Sequence, residues 1–180
     1  SPAPGTVGDP IPDVISQVVA GIEKSRALKD SLLRHGSESP LKPEQKEAFA
    51  GLSYFPVDLR FHLIGGLHAY GRKRQIQVPT TAHTTITMER YGQFHFRWDG
   101  KGFWLEVYRS LEDGMLSVFF KDETSGKETY AGGRYASISD LGNRAYLLDF
   151  NTSYNPYCDY NSIYVCPLVP PHNILPFPVS

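Results

Sequence analysis

The sequence predicts a mainly β (α+β) fold, an antiparallel β barrel or sandwich with an N-terminal amphipathic helix and a proline-rich C-terminal strap. Two observations predict the β body. The chain has 11 tyrosines and 10 phenylalanines, and aromatic residues favour strands. Between residues 59 and 150, β-like runs follow one another too closely for crossover helices, so neighbouring strands must be antiparallel.

The composition is that of an ordinary globular chain. With 180 residues, of which 41% are hydrophobic and 21% charged, it is long enough for one domain with a full core. The formal net charge of −1 gives no general attraction to nucleic acid. No apolar run approaches the ~20 residues that a membrane-spanning helix needs. We therefore expect neither a nucleic-acid partner nor a membrane span.

The compartment stays open at this stage. The chain begins at Ser1 and contains two cysteines, a combination found in exported or organelle-imported mature proteins. We expect that location slightly more than a cytoplasmic one.

The first segments predict a lead-in and two helices. Residues 1–12 are rich in proline and predict a flexible lead-in. Apolar residues then recur at helical spacing over residues 13–36, between Asp13 as a candidate N-cap and Gly36 as a stop in the left-handed conformation. We expect this helix to pack on its own domain, with its charged residues on a solvated face. Docking of a protein partner through residues 14–33 is the alternative.

A second, shorter helix is expected over residues 43–50, because Pro43 suits a first helical turn. The remainder predicts one domain over residues 13–180, with the β body at 59–150 and the turn and strap at 151–180. Seven or eight strands are expected. They are Arg60–Ile64, Arg74–Val78, Thr84–Arg90, Gln93–Trp98, Gly102–Tyr108, Met115–Phe120, Glu128–Tyr135 and Ala145–Phe150.

The strongest local signal in the β body is the Asp99-Gly100 pair. An Asp-Gly pair between two alternating aromatic runs is typical of a two-residue hairpin turn. In the strand before it, Phe94, Phe96 and Trp98 lie at alternate positions and share one face.

The first group of candidate site residues is Glu128, Tyr130 and Arg134. In a regular strand these three positions point to one face, which would pair a carboxylate with a guanidinium. The pair has two interpretations, a structural ion pair or an arginine that anchors a ligand. Gly132-Gly133 between them would disturb the alternation if it formed a bulge.

The second group stands where the last strand ends and comprises Asp149, Asn151, Tyr154 and Asn155. Asp and Asn at such positions commonly bond to nearby backbone and cap turns. The alternative is a polar cluster in which a carboxylate serves as a base. Together the two groups form the predicted ligand-binding set, and no residue is assigned as catalytic.

Cys158 and Cys166 enclose seven residues and leave three states open: a disulfide, two buried thiols, or a metal ligand or nucleophile. A disulfide across so short a loop would stabilise the chain by roughly 2.5 kcal/mol. Zinc sites need about four ligands at characteristic spacings, and no such pattern is present, so we predict no metal site.

Four motifs in order resemble a family of unknown function, number 1684, with similarity from about Arg26 to the C-terminus. The first motif is Ser39-Pro40-Leu41 with Phe49–Asp58, the second Lys121–Tyr130 with Gly133-Arg134-Tyr135, the third Leu148–Asn151 with Tyr154-Asn155-Pro156 and Cys158, and the fourth Cys166-Pro167-Leu168 with Pro170-Pro171, Asn173 and Leu175-Pro176.

The resemblance implies no established activity and no known cofactor, and it implies that both cysteines are common in the family. Ser153 stands where an alanine is usual. His172 stands where a glutamate usually precedes Asn173, so the strap is not favoured as a place for chemistry.

Three functional hypotheses follow. The first is a non-catalytic module that binds a small anionic ligand through Arg134 and Tyr130, or acts as an accessory protein. The second is an enzyme, hydrolase-like or cofactor-dependent, with Asp149 or Glu128 as general base. The third is a structural subunit docked through the N-terminal helix. The first is favoured because no catalytic signature is present.

Overall fold

Two helices precede the sheet in this computed structural model, which describes residues 11–180. Helix α1 spans Ile11–His35 and helix α2 spans Pro43–Ala48. The predicted lead-in lies outside the described residues, except for its last two residues, which begin α1. Asp13 therefore lies in the first turn rather than at the cap, where a carboxylate still faces the positive end of the helix dipole. Gly36 follows the helix as predicted, but without a positive φ angle.

Six antiparallel strands follow the helices. They are β1 His62–Pro79, β2 Thr85–Trp98, β3 Lys101–Arg109, β4 Leu116–Phe120, β5 Arg134–Gly142 and β6 Ala145–Asp149. Each strand pairs with the next along the chain, and β6 returns to pair with β1. The prediction of a mainly antiparallel β body with an N-terminal helix is confirmed.

Two long strands replace four of the predicted short ones. β1 continues through the interval between the predicted strands Arg60–Ile64 and Arg74–Val78, and a register shift between Ala69 and Arg74 accommodates the irregularity. Gly65 allows the chain to approach β2 closely, because a Cβ atom there would lie 2.4 Å from the carbonyl oxygen of His95. The glycine therefore permits strand pairing instead of ending it.

The predicted hairpin at Asp99-Gly100 is confirmed. Trp98 pairs with Lys101, and Asp99 and Gly100 have φ angles of 48° and 72°. Positive φ at both central residues is the type I′ geometry that matches the strand twist.

The predicted strand Glu128–Tyr135 is wrong except for its last two residues, because regular pairing begins only at Arg134. The residues before it form a loop held by its own polar groups. The Asp122 carboxylate accepts hydrogen bonds from the hydroxyls of Thr124 and Ser125, and Gly126 N donates to the carbonyl oxygen of Thr129. These local bonds replace a ladder, so the expected alternation of Glu128 and Arg134 does not exist.

Between β3 and β4 the ladder is short, with only two paired positions. The C-terminal segment, residues 166–180, lies at this opening. Asn173 is fully buried, and its side chain bonds to the backbone of Glu106 in β3 and of Phe119 in β4. Beyond it, Leu175 N donates to the carbonyl oxygen of Lys121 at 2.8 Å. The segment thus supplies the hydrogen bonds that the two strands do not give each other.

Two hydrophobic clusters are buried in the part of the chain that the structure describes, and the larger one combines residues of the strands and of the C-terminal segment. It contains Phe94 and Phe96 from β2, as their alternation predicted, and the last apolar residues of the chain, Phe177 and Val179. Trp98 stacks on Phe177, with the ring centroids 5.1 Å apart. The C-terminal segment is therefore part of the core as well as of the hydrogen-bond network.

Candidate functional site

A pocket of about 410 Å³ lies between α1, the segment after α2 and the turn after β6. Six of the seven predicted ligand-binding residues line it: Glu128, Tyr130, Arg134, Asn151, Tyr154 and Asn155. The structure thus brings together both groups of candidates, which lie about twenty residues apart in the sequence. The seventh candidate, Asp149, is outside the lining.

Asp149 forms a cap at the start of the 3₁₀ turn Phe150–Thr152. Its Oδ1 accepts from the backbone and side-chain nitrogens of Asn151, each at 2.9 Å, and its Oδ2 lies 2.8 Å from His62 Nδ1. Asn151 also pairs with the backbone of Asp58 through both ends of its amide. These two residues join the turn to the segment before β1. Their bonds correspond to the interpretation of the cluster as a turn cap.

Two further cations line the pocket, Arg26 and Lys29 of α1, and the sequence placed both on a solvated helix face. Arg26 donates from Nε and Nη2 to the carbonyl oxygen of Asn151, at 3.1 and 3.0 Å, and from Nη1 to that of Phe55 at 2.8 Å. The i, i+3 spacing of the two side chains puts them on one side of the helix. This spacing was the only signal in the sequence for Arg26 and Lys29. It does not determine which side of the helix faces the β body.

The amine of Lys29 lies against the turn after β6, to which Arg26 also bonds. Nζ donates to the carbonyl oxygen of Ser153 at 3.1 Å and lies 5.0 Å from the centre of the Tyr54 ring. Burial lowers the pKa of Lys29 to about 8, and repulsion from Arg26 and Arg134 acts in the same direction, against an opposing effect of Asp30. A pKa of about 8 leaves Lys29 mostly protonated at physiological pH, but with a larger neutral fraction than an ordinary lysine has.

Arg134 is buried, and its ionic partner differs from the one predicted. Nη2 bonds to Asp122 Oδ2 at 3.1 Å and to the carbonyl oxygen of Val179 at 2.7 Å. Glu128, the predicted partner, is exposed. Nε of Arg134 is buried and has no hydrogen-bond partner among the described residues. Burial lowers the pKa of Arg134, and the Asp122 charge opposes that effect.

The cysteines lie beside the pocket and both are free thiols; they are close together but not joined in a disulfide. The backbone N–H of Cys158 points to Cys166 Sγ at 3.3 Å. Tyr130 OH lies 3.8 Å from Cys158 Sγ, and burial together with that contact raises the pKa of Tyr130 to about 12. Burial likewise raises the pKa of Cys166 to about 11, which keeps that thiol protonated and unreactive.

The two remaining lining candidates come from the turn after β6. Tyr154 forms a backbone bridge with Tyr135 at the start of β5, and burial raises the pKa of its phenol. Asn155 donates from Nδ2 to Asp159 Oδ2 at 2.9 Å. Its amide oxygen faces no protein donor in a described side-chain bond, so it can accept one.

Within residues 11–180, no group of three or more His, Cys, Asp or Glu side chains is arranged to hold a metal ion. The helices in this range also include none that is long and apolar enough to cross a membrane.

Residues 47–180 match the family described as "Protein of unknown function (DUF1684)", which is three quarters of the chain. The chain belongs to this family. A solution NMR structure of an uncharacterized protein from Haloarcula marismortui is similar to this DUF1684 chain, with 29% sequence identity and a TM-score of 0.73 over 93% of this chain and 94% of the other. A comparison with curated protein sequences found no match.

In this DUF1684 chain, the first three resembling motifs meet at the pocket. Phe55 belongs to the first motif, Arg134 to the second and Asn151 to the third, and all three line it. Arg26 and Lys29 also line it but lie before the matched range.

Proposed function

We propose that this DUF1684 protein binds a small organic anion in the pocket between α1 and the turn after β6. The observation that carries the proposal is the buried guanidinium of Arg134, a residue that lines the pocket together with two further cations and whose Nε has no hydrogen-bond partner within residues 11–180. A buried donor without a partner costs about 1–3 kcal/mol. A carboxylate or phosphate oxygen of a ligand would remove that cost and complement the charge.

The rest of the lining supports a ligand with an apolar, preferably aromatic, body. Rings form much of the wall, and they are those of Tyr54, Phe55, Phe61, Tyr130, Phe150, Tyr154 and Tyr160. Tyrosine and phenylalanine walls favour flat apolar groups. The volume of about 410 Å³ falls within the ~300–1,000 Å³ of small-molecule sites.

The β body and the C-terminal segment both contribute to the pocket wall, through Arg134 and Val179. The cyclic strand order supports a closed barrel as the form of the β body. The bonds of Asn173 and the burial of Val179 support a strap role for the C-terminal segment, which reaches Arg134 through the carbonyl of Val179.

The proposal is tested by screening the full chain against aromatic carboxylates and phosphate monoesters, by thermal shift and then by calorimetry. We expect at least one anion to raise the unfolding midpoint and to bind one to one. Arg134→Lys keeps the charge but removes the Nε donor, so it should weaken binding by about tenfold or more, as expected for a lost charge-assisted bond. Asn155→Ala spares the Asp122 pair and should weaken only those ligands that offer a donor to the Asn155 amide oxygen.

The matched control is Arg72→Ala, which removes an exposed cation of β1 outside the pocket and should bind as the wild type does. Circular dichroism must find each variant folded. If no anion binds, or if Arg134→Lys binds as tightly as Arg72→Ala, the proposed site is wrong.

The enzyme alternative retains one candidate base. Glu128 is exposed at the pocket wall, whereas both oxygens of Asp149 are engaged in the cap. We assign no catalytic residue to the anion-binding role.

Exposed leucines favour a second candidate function, association with a protein partner through α1. Leu28 and Leu32 are 59% and 56% exposed beside a mainly apolar groove of about 500 Å³, which suits a partner that presents an apolar face. Native mass spectrometry of protein from its source should find a complex, and Leu28→Glu with Leu32→Glu should dissociate it. A monomer in that experiment would refute this candidate.

A further inference from the structure

The amine of Lys29 lies in partly buried surroundings, which is unusual for a lysine on a helix surface. Its side chain is half-buried at the wall of the anion pocket, and its one described hydrogen bond is to the carbonyl oxygen of Ser153. An ammonium has three donors, so two remain for a ligand. In the described part of the chain, no carboxylate oxygen lies within ion-pair distance of Nζ, although Arg90, Arg109 and Arg134 each have such a partner.

Two cations, Arg26 and Arg134, lie near Lys29 and act against the opposing charge of Asp30. Arg26 and Lys29 flank the same ring, with the guanidinium carbon and the amine 4.9 and 5.0 Å from the centre of Tyr54. Arg134 lines the same pocket. Desolvation and adjacent positive charge are the two means by which proteins convert lysine into a nucleophile, because both favour the neutral amine. The lowered pKa of Lys29 agrees with this arrangement.

We propose that Lys29 captures the carbonyl carbon of a bound 2-oxo acid with an aromatic side chain, forming an imine. The inference rests on the proposed function, since the anion pocket brings the carbonyl to the amine. The carboxylate would bond to Arg134, the ring would lie against the tyrosines, and the carbonyl beside the carboxylate would face Nζ. The nitrogen of the neutral amine forms the bond to carbon, and the carbonyl oxygen leaves as water with the two amine protons. No oxidant or reductant is required.

The experiment incubates the full chain with phenylpyruvate and sodium cyanoborohydride, whose hydride reduces the imine to a stable secondary amine. Intact mass spectrometry counts the adducts and peptide mapping locates them. We expect one adduct at Lys29, formed at least about tenfold faster than at exposed Lys24 of the same helix. Lys29→Arg should remove this adduct, and the matched variant Lys24→Arg should keep it.

Phenyllactate, which has a hydroxyl in place of the carbonyl, separates the two proposals. Phenyllactate should raise the unfolding midpoint and slow the labelling of Lys29 by competition, without forming an adduct. If phenyllactate binds but phenylpyruvate labels Lys29 no faster than Lys24, the imine inference is overturned and the anion site stands. If neither acid stabilises the protein and labelling is uniform among lysines, the inference is overturned for this ligand class, and the anion site must then be judged on the wider screen.

Discussion

Replacing Asn173 by alanine should destabilise the protein strongly, because its side chain substitutes for missing strand pairing between β3 and β4. Oδ1 accepts from Glu106 N at 2.8 Å, and Nδ2 donates to the carbonyl oxygens of Glu106 and Phe119, each at 3.0 Å. Alanine would leave three buried backbone groups without partners. At about 1–3 kcal/mol for each such group, reduced by relaxation and by water entering the space, we expect a loss of about 3–5 kcal/mol.

The assay is urea denaturation followed by the fluorescence of the two tryptophans, with the free energy of unfolding extrapolated to water. Asn173→Asp separates hydrogen bonding from the loss of volume, because aspartate has the same shape. It should destabilise about as much as alanine, since an oxygen would face the two carbonyls. Asn155→Ala is the matched control, because it removes one amide whose described bond is to an exposed aspartate.

The reasoning would be refuted by an Asn173→Ala variant that loses less than about 1 kcal/mol, or no more than Asn155→Ala, because a buried three-bond side chain cannot cost so little. An Asn173→Asp variant as stable as the wild type would also refute it. That result would mean that the packing of the Asn173 side chain, and not its hydrogen bonds, stabilises the junction of β3 and β4.

Three further predictions concern the pocket and its supports. Asp122→Asn should destabilise the protein by about 3–5 kcal/mol in chemical denaturation, because it leaves the buried Arg134 charge without its counter-ion; unchanged stability would contradict the pair. Gly133→Ala should also unfold at lower urea, since φ is +91° and a Cβ would lie 2.4 Å from the carbonyl oxygen of Phe120. Lys29 keeps its proton up to about pH 10.5 when unfolded but only to about 8 when folded, so the unfolded state binds more protons in between and stability should rise there by about 1–2 kcal/mol, after allowance for partial exposure. Lys29→Met should abolish that rise in denaturation curves measured across the window, and an identical rise in both proteins would contradict the lowered pKa.

Local signals in the sequence predicted the elements whose cause is local. The Asp99-Gly100 turn follows from the conformations of two residues, and the inward face of Phe94 and Phe96 follows from alternation. The strand end predicted at Ile64 was misjudged, because Gly65 lets another strand approach closely and the local sequence gives no clue to that approach. The strand at Glu128 was misjudged because side-chain bonds within its loop replaced the ladder that alternation suggested.

The sequence predicted most of the candidate residues that line the pocket, but it did not predict the ion pair of Arg134 or the two other cations. Clustering of polar residues in two segments was enough to find six lining residues. The partner of Arg134 is Asp122, which belongs to neither group of predicted site residues. The cations Arg26 and Lys29 were missed because the orientation of α1 depends on long-range packing, which an amphipathic pattern with charges around half the helix does not determine.

The positive character of the pocket follows from how the turn after β6 is capped. The carbonyl oxygens of Asn151 and Ser153 orient Arg26 and Lys29, and carbonyls offer partial charges only, so they fix these side chains without neutralising them. Asp149, which caps the start of the turn, bonds instead to His62 and to Asn151. The cap that holds the turn together therefore engages the Asp149 carboxylate. In the described part of the chain Arg26 and Lys29 bond to carbonyl oxygens and have no ion-pair partner, so a ligand anion could complement these two side chains even though Glu128 and Asp159 also line the pocket.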